Sequence, residues 1–280
     1  MRPGPLNPAP SRDDSGWKCG YLSAVEQRPG MNSVPSTHLV LIPSYNAGPK
    51  LYDTVREARR AWTPVWVVVD GSTDDSLAAL QRMAESDSGL RVLSLPVNSG
   101  KGAAVLHGMR AARAEGFTHI LTMDADGQHP PDLIQTFMEA SMRQPEAVIL
   151  GKPIFDESAP AIRLRGRKIA NWWTDLETGN GTIGDSLFGF RVYPIADLMA
   201  VMDESPWMRR FDFDPEAAVR LAWRGLPVVN IPAPCRYFRP EEGGVSHFNY
   251  LRDNVLLFGM HTRLVLGTIG RRLGLVRSGR

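Results

Sequence analysis

Four short apolar runs in the first half of the chain each stop at a polar loop that contains glycine. They are His38–Ile42 (HLVLI), Val65–Val69 (VWVVV), Arg91–Leu95 and His119–Met123. After each of the first three loops the sequence turns to a helical pattern. Val65–Val69 is apolar at every position and the other runs are mostly so, the pattern of strands buried on both sides. Strands alternating with helices imply an α/β fold with a mostly parallel central sheet and helices on both faces. Ligands of such sheets gather beyond the carboxyl ends of the strands. The loops at those ends carry Pro43 to Asn46, Asp70, Asn98 to Lys101, and Asp124 to Gln128. Four polar loops on one rim make a site.

With 280 residues the chain suits one large domain of this kind, and 43% hydrophobic content is enough to fill its core. A net charge of +2 argues against nucleic acid as a partner. Two cysteines, Cys19 and Cys235, give no disulfide framework, and a reducing cytoplasm is the simplest location. Residues 1–36 hold six prolines and no signal-peptide core, so they read as a disordered leader, with Met31 as an alternative start. Beyond 147–151 the alternation loosens. Residues 161–180 read as helix, Leu187–Val192 as strand and Asp212–Trp223 as helix. Pro232 to Gly244 reads as a loop, and an amphipathic stretch follows from Ser246 to about Leu273. The expected domain runs over 37–245, followed by a basic segment over 246–280.

Asp124 and Asp126 stand one residue apart at the end of the fourth strand, with Gln128 close behind. In an extended strand the two carboxylates point the same way. Two carboxylates and a carbonyl suit Mg²⁺ or Mn²⁺ completed by phosphate oxygens. An Asp-x-Asp after a strand also occurs in phosphohydrolases of the haloacid dehalogenase type, but on their first strand. Lys101, at a helix N-terminus, can face a diphosphate, and Asp70 can accept from a nucleobase N–H. His107 and His129 fit structural roles.

The ordered motifs IPSYN (42–46), VDGSTD (69–74), NSGKGAA (98–104) and DADGQHPP (124–131) resemble those of family 2 glycosyltransferases, nearest the dolichol-phosphate mannosyltransferase-like branch. Asp185–Arg191 (DSLFGFR) and Phe213–Glu216 (FDPE) with Arg220 extend the resemblance, which covers about 37–248. It implies a GT-A fold, a nucleotide-diphospho-sugar donor such as GDP-mannose or UDP-glucose, and inversion at the anomeric carbon. By position, Pro43, Tyr45, Asn46 and Asp70 would hold the nucleotide, with Lys101. Asp124, Asp126 and Gln128 would hold metal and diphosphate, Asp126 with a catalytic part. Arg191 would bind a phosphate, and Glu216 would face the acceptor as catalytic base. The branch usually places an Arg just before Gly-x-Ser-Lys. Here Arg239 lies further from Gly244, Ser246 follows, and His247 replaces the Lys. The acceptor therefore stays open between a polyprenyl phosphate and a hydroxyl on a lipid-linked molecule. The alternatives to the transferase are the phosphohydrolase and a non-catalytic nucleotide-sugar-binding protein.

Residues 246–280 hold six arginines against one acid, Asp253, so a local charge of +5 sits in a chain of net +2. Apolar residues at helical spacing in the same segment predict peripheral contact with an anionic membrane, at its cytoplasmic face.

Overall fold

The computed structural model describes residues 37–156, 159–179, 181–238 and 250–275. The first half follows the expected alternation: β1 (His38–Ser44), α1 (Lys50–Ala61), β2 (Val65–Asp70), α2 (Ser76–Glu85), β3 (Leu90–Leu95), α3 (Lys101–Ala114) and β4 (His119–Thr122). A 3-10 turn (Pro131–Leu133), α4 (Ile134–Arg143), β5 (Val148–Phe155) and α5 (Ala161–Thr178) come next. The chain continues with β6 (Arg191–Pro194), α6 (Ile195–Glu204), α7 (Phe213–Trp223), β7 (Val228–Cys235) and α8 (Tyr250–Arg272).

Seven strands form one sheet in the order β3-β2-β1-β4-β6-β5-β7. All neighbours are parallel except β6, which runs against both β4 and β5. The doubly buried strands serve two cores. Leu39, Leu41 and Val68 face a cluster with α3, α6 and α7, whereas Val40, Ile42 and Val67 face one with α1 and α4. The order reverses between β1 and β4, and the carboxyl ends of these two strands carry the Pro43 and Asp124 loops.

Two features differ from the sequence reading. The strand expected from Leu187 begins only at Arg191. The Asp185 carboxylate accepts the Leu187 and Phe188 N–H groups at 2.9 and 2.8 Å, which folds the preceding residues into a turn. The expected loop from Pro232 is, over its first residues, the edge strand β7. Pro232 and Pro234 lie two apart, so their missing N–H groups fall on the unpaired side. Helices α4 and α6 complete the layers. The expected leader, Arg239 and Ser246 lie outside the described residues.

Helix α8 packs against α5 and α7. Met260 and Leu264 enter the core. His261 Nδ1 lies 2.7 Å from Glu177 Oε1, and the Thr268 hydroxyl donates to the Glu177 carbonyl at 2.9 Å. Outward from this seam Leu251, Val255, Phe258, Leu266 and Ile269 of α8 and Leu273 just beyond it are exposed, as are Ile162, Ile169, Trp172 and Leu176 of α5. None of the described helices is long and apolar enough to cross a membrane.

Candidate active site

A cavity of about 940 Å³ opens over the carboxyl ends of β1, β2 and β4. Pro43, Tyr45 and Asp70 line one end, Lys101, Asp124, Asp126, Gln128 and Asp214 its middle, and α5 and α8 the far end. The sequence expectation of one polar rim thus becomes one continuous space.

Asp70 is 3% exposed, and both its oxygens are engaged by the next loop: Ser99 N–H donates to Oδ1 at 2.8 Å and Gly100 N–H to Oδ2 at 2.7 Å. The turn beside it needs glycine. Gly71 has φ +62°, and a Cβ there would fall 2.2 Å from the Asn98 nitrogen. Asp70 therefore shapes the floor of the cavity as well as lining it. Asn46 does not line the cavity. Its Oδ1 accepts the Thr73 N–H at 2.8 Å and its backbone N–H donates to Ser72 Oγ at 3.0 Å, so it staples two rim loops together.

Asp124 and Asp126 stand in unlike surroundings. Burial pushes the Asp124 carboxyl up, but Lys101 and then His129 outweigh it and hold the group below the usual carboxylate range. Burial, and then the Asp124 charge, push Asp126 up to about 6. Its Oδ1 accepts the Gln128 N–H at 3.0 Å. His129 is buried against Phe188 and Phe190, and burial lowers its pKa to about 4 against the opposing pull of Asp124, which keeps the ring neutral. Its Nδ1 accepts the Asp124 N–H at 3.0 Å, so Nε2 carries the proton, 3.5 Å from Asp124 Oδ2. The histidine expected to be structural thus pins the backbone of Asp124 and stands beside its carboxylate.

Lys101 reaches across the middle of the cavity. Its ammonium lies 2.5 Å from Asp124 Oδ1 and 2.6 Å from Asp214 Oδ2. Burial disfavours the charge, yet the two carboxylates more than compensate and raise its pKa. Asp214, in the first turn of α7, is 6% exposed, and its Oδ1 is buried without a hydrogen-bond partner. Sequence reasoning quoted Asp214 within a motif but gave it no role.

Two expected residues do not face the cavity. Glu216 follows Asp214 by two positions, about 200° around a helix, and so points to the other side of α7. It is fully buried, taking Arg220 Nε at 2.8 Å on Oε1 and Arg263 Nη2 at 3.0 Å on Oε2. Arg191 is fully buried as well. Its guanidinium donates to the carbonyls of Phe188, Asp214, Asp185 and Ser186 and to the Tyr193 hydroxyl. Those five contacts match the five N–H donors a guanidinium has, which leaves none for a phosphate. The cations that do line the far end are Arg163, Arg167, Arg210 and Arg252. Arg167 is paired with Asp185, Arg252 with Asp253, and Arg163 lies over the Tyr237 ring.

Among the described residues no group of three or more His, Cys, Asp or Glu is arranged to hold a metal ion. The donor set nevertheless fits a hard divalent cation whose remaining ligands come from a bound molecule: Asp124 and Asp126 line the same cavity and supply carboxylate oxygens.

Residues 39–199 match the sequence pattern described as Glycosyl transferase family 2. A polyprenol monophosphomannose synthase of Mycolicibacterium smegmatis is 27% identical, over 85% of this chain and 91% of its own length. An undecaprenyl-phosphate 4-deoxy-4-formamido-L-arabinose transferase of Klebsiella pneumoniae is 32% identical, over 80% and 66%. Among solved structures, a glucosyl-3-phosphoglycerate synthase from Mycobacterium tuberculosis, in complex with Mn²⁺, UDP-glucose and phosphoglyceric acid, superposes with a TM-score of 0.57. It is 18% identical and aligns over 90% of this chain and 87% of its own, a likeness of fold alone. These matches remove the phosphohydrolase and the non-catalytic binder. With the family pattern covering more than half of its length, the chain belongs to glycosyl transferase family 2 and is a glycosyltransferase.

Proposed function

We propose that the enzyme moves a hexose, with inversion, from a nucleotide-diphospho-sugar to a polyprenyl phosphate at a membrane surface. One observation carries this reading: a single cavity joins the carboxylate rim to a wall of arginines on α5 and α8, the two helices whose outer sides expose large apolar residues. A phosphate on a long apolar chain needs such a wall beside such a surface. The names of the relatives, among them an undecaprenyl-phosphate mannosyltransferase of Micrococcus luteus, support the same acceptor class.

In this reading Pro43 and Tyr45 take the nucleoside, with Asp70 at the floor, and Lys101 faces the diphosphate. A Mg²⁺ or Mn²⁺ held by Asp124 and Asp126, with Gln128 beside them, would offset the charge of the departing diphosphate. His129 holds the backbone of Asp124 in place. Arg163, Arg210 and Arg252 attract the acceptor phosphate, an anion that attacks without first losing a proton. The functional unit spans 37–245, and 246–280 joins α5 in peripheral contact with an anionic leaflet, at the cytoplasmic face.

A hydroxyl acceptor is the second reading, and Asp214 favours it. Its unpartnered Oδ1 is a carboxylate oxygen beside the rim, placed to take a proton.

The deciding assay presents labelled UDP-glucose or GDP-mannose with vesicles containing polyprenyl phosphate or the free polyprenol. Nucleoside diphosphate and labelled lipid should form with the phosphate only. Both should disappear in EDTA and fall roughly 10²–10³-fold for Asp126→Ala. Transfer to the free alcohol alone selects the second reading; release of nucleoside diphosphate that ignores either lipid refutes both.

A further inference from the structure

Lys101 stands where the chemistry of a metal site leaves least room for it. Its ammonium meets Asp124 Oδ1 at 2.5 Å and Asp214 Oδ2 at 2.6 Å, and its side chain is only 14% exposed. The backbone is cut to fit the pair: a Cβ on Gly189 would fall 2.5 Å from Lys101 Nζ and 2.9 Å from Asp124 Oδ2. The other Asp124 oxygen faces His129 Nε2 at 3.5 Å. The first carboxylate of the rim is therefore already supplied with a cation by the chain itself. A divalent ion arriving alone would have to share or displace that ammonium, and two cations at one oxygen repel. A diphosphate changes the balance, because its oxygens offer the ammonium a new partner.

We propose that Lys101 is the resting counter-cation of the rim. It excludes a free divalent metal from Asp124 and yields that carboxylate only when a nucleoside diphosphate takes the ammonium over. This rests on the reading of the rim as a metal and diphosphate site. It adds that metal and nucleotide bind as a coupled pair, with Lys101 as the coupling residue and not a catalytic one.

The test titrates the full chain with Mn²⁺, followed by the electron paramagnetic resonance signal of the free ion. Titrations are run alone, with UDP or GDP, and with the matching nucleoside. The wild-type chain should bind Mn²⁺ about tenfold or more tightly with the diphosphate than without, and the nucleoside should give no gain. Lys101→Gln should bind Mn²⁺ alone about tenfold more tightly than wild type, and its gain from the diphosphate should shrink by the same factor. Lys101→Arg, which keeps a cation there, should hold free metal off as wild type does. A folded Lys101→Gln chain with unchanged affinity for Mn²⁺ alone overturns the inference and leaves the site reading standing. Should that variant not fold, wild type decides: equal Mn²⁺ affinity with and without the diphosphate overturns it. If neither UDP nor GDP binds, with or without Mn²⁺, the nucleotide site itself falls, and the inference with it.

Discussion

Asp214 and Glu216 sit two residues apart in one motif and have opposite work to do. Asp214 lies in the cavity against Lys101, whereas Glu216 neutralises Arg220 and Arg263 behind α7. Asp214→Asn should cut turnover by roughly 10²-fold or more, with a smaller drop in thermal midpoint than Glu216→Gln, because Lys101 keeps Asp124 as a partner. Glu216→Gln leaves two arginines facing a lost charge. It should cost about 3 kcal/mol or more, a drop on the order of 6–12 °C in the midpoint for a domain of this size. Calorimetry and steady-state kinetics on both variants check this, and the reverse pattern would restore Glu216 to the cavity. The sequence made Asp124 and Asp126 legible because one strand end carries both. It hid the choice between Asp214 and Glu216, since the side of α7 that faces inward is set by α8, some forty residues later. Arg191 was hidden for a similar reason. All but one of its partners are carbonyls, which no residue type announces.

At the level of elements, the exposed faces of α5 and α8 make a second prediction. On α5 the outward residues Ile162, Arg165, Ile169, Trp172 and Leu176 follow helical spacing, and Arg165 and Lys168 add positive charge beside them. Because Ile169 and Phe258 are exposed, replacing both with Glu should leave the fold unchanged. Co-sedimentation with anionic vesicles should fall about tenfold or more, since each residue gives up apolar contact and adds repulsion. Binding that survives the double change, or that is as strong on neutral vesicles in low salt, would take the membrane role from these helices. The basic α8 segment was legible from its charge. The exposed apolar face of α5 was not, because an apolar residue on a helix reads the same whether it turns inward or outward. Strand β7 was obscured by its prolines, which only an edge position permits.

For the molecule as a whole, the first four strands were legible because each carries a mostly apolar run, and short runs of that kind alternating with helices fit a sheet covered on both faces. Their opposite ends hold a pair of buried rings. His38 and His119 stack with centroids 4.3 Å apart, and burial, then the neighbouring His119, lowers His38 to about 4. Burial lowers His119 as well. A histidine with a depressed folded pKa binds protons more readily when unfolded. The fold therefore has its full stability above about pH 6.5 and loses part of it as the pH falls toward 4. His38 alone should contribute roughly 2–3 kcal/mol to that loss. Denaturant unfolding at pH 7 and pH 4.5 measures it, and His38→Gln should flatten the slope; an equal slope in the variant would assign the acid sensitivity elsewhere.

The reversed strand has a consequence for how the chain is made. β5 (148–155) lies between β6 (191–194) and β7 (228–235), and both partners follow it in the sequence. On a ribosome adding about 5–20 residues per second, β5 waits roughly 2–7 seconds for the first of them. Through that interval Val-Ile-Leu has two unpaired edges while β1 to β4 are already able to pair. The nascent enzyme is then a half-sheet ending in a sticky margin, and crowding by its own copies is most dangerous at that moment. Slower elongation while β5 is clear of the ribosome and β6 is not should lower the soluble yield even though the finished protein is identical.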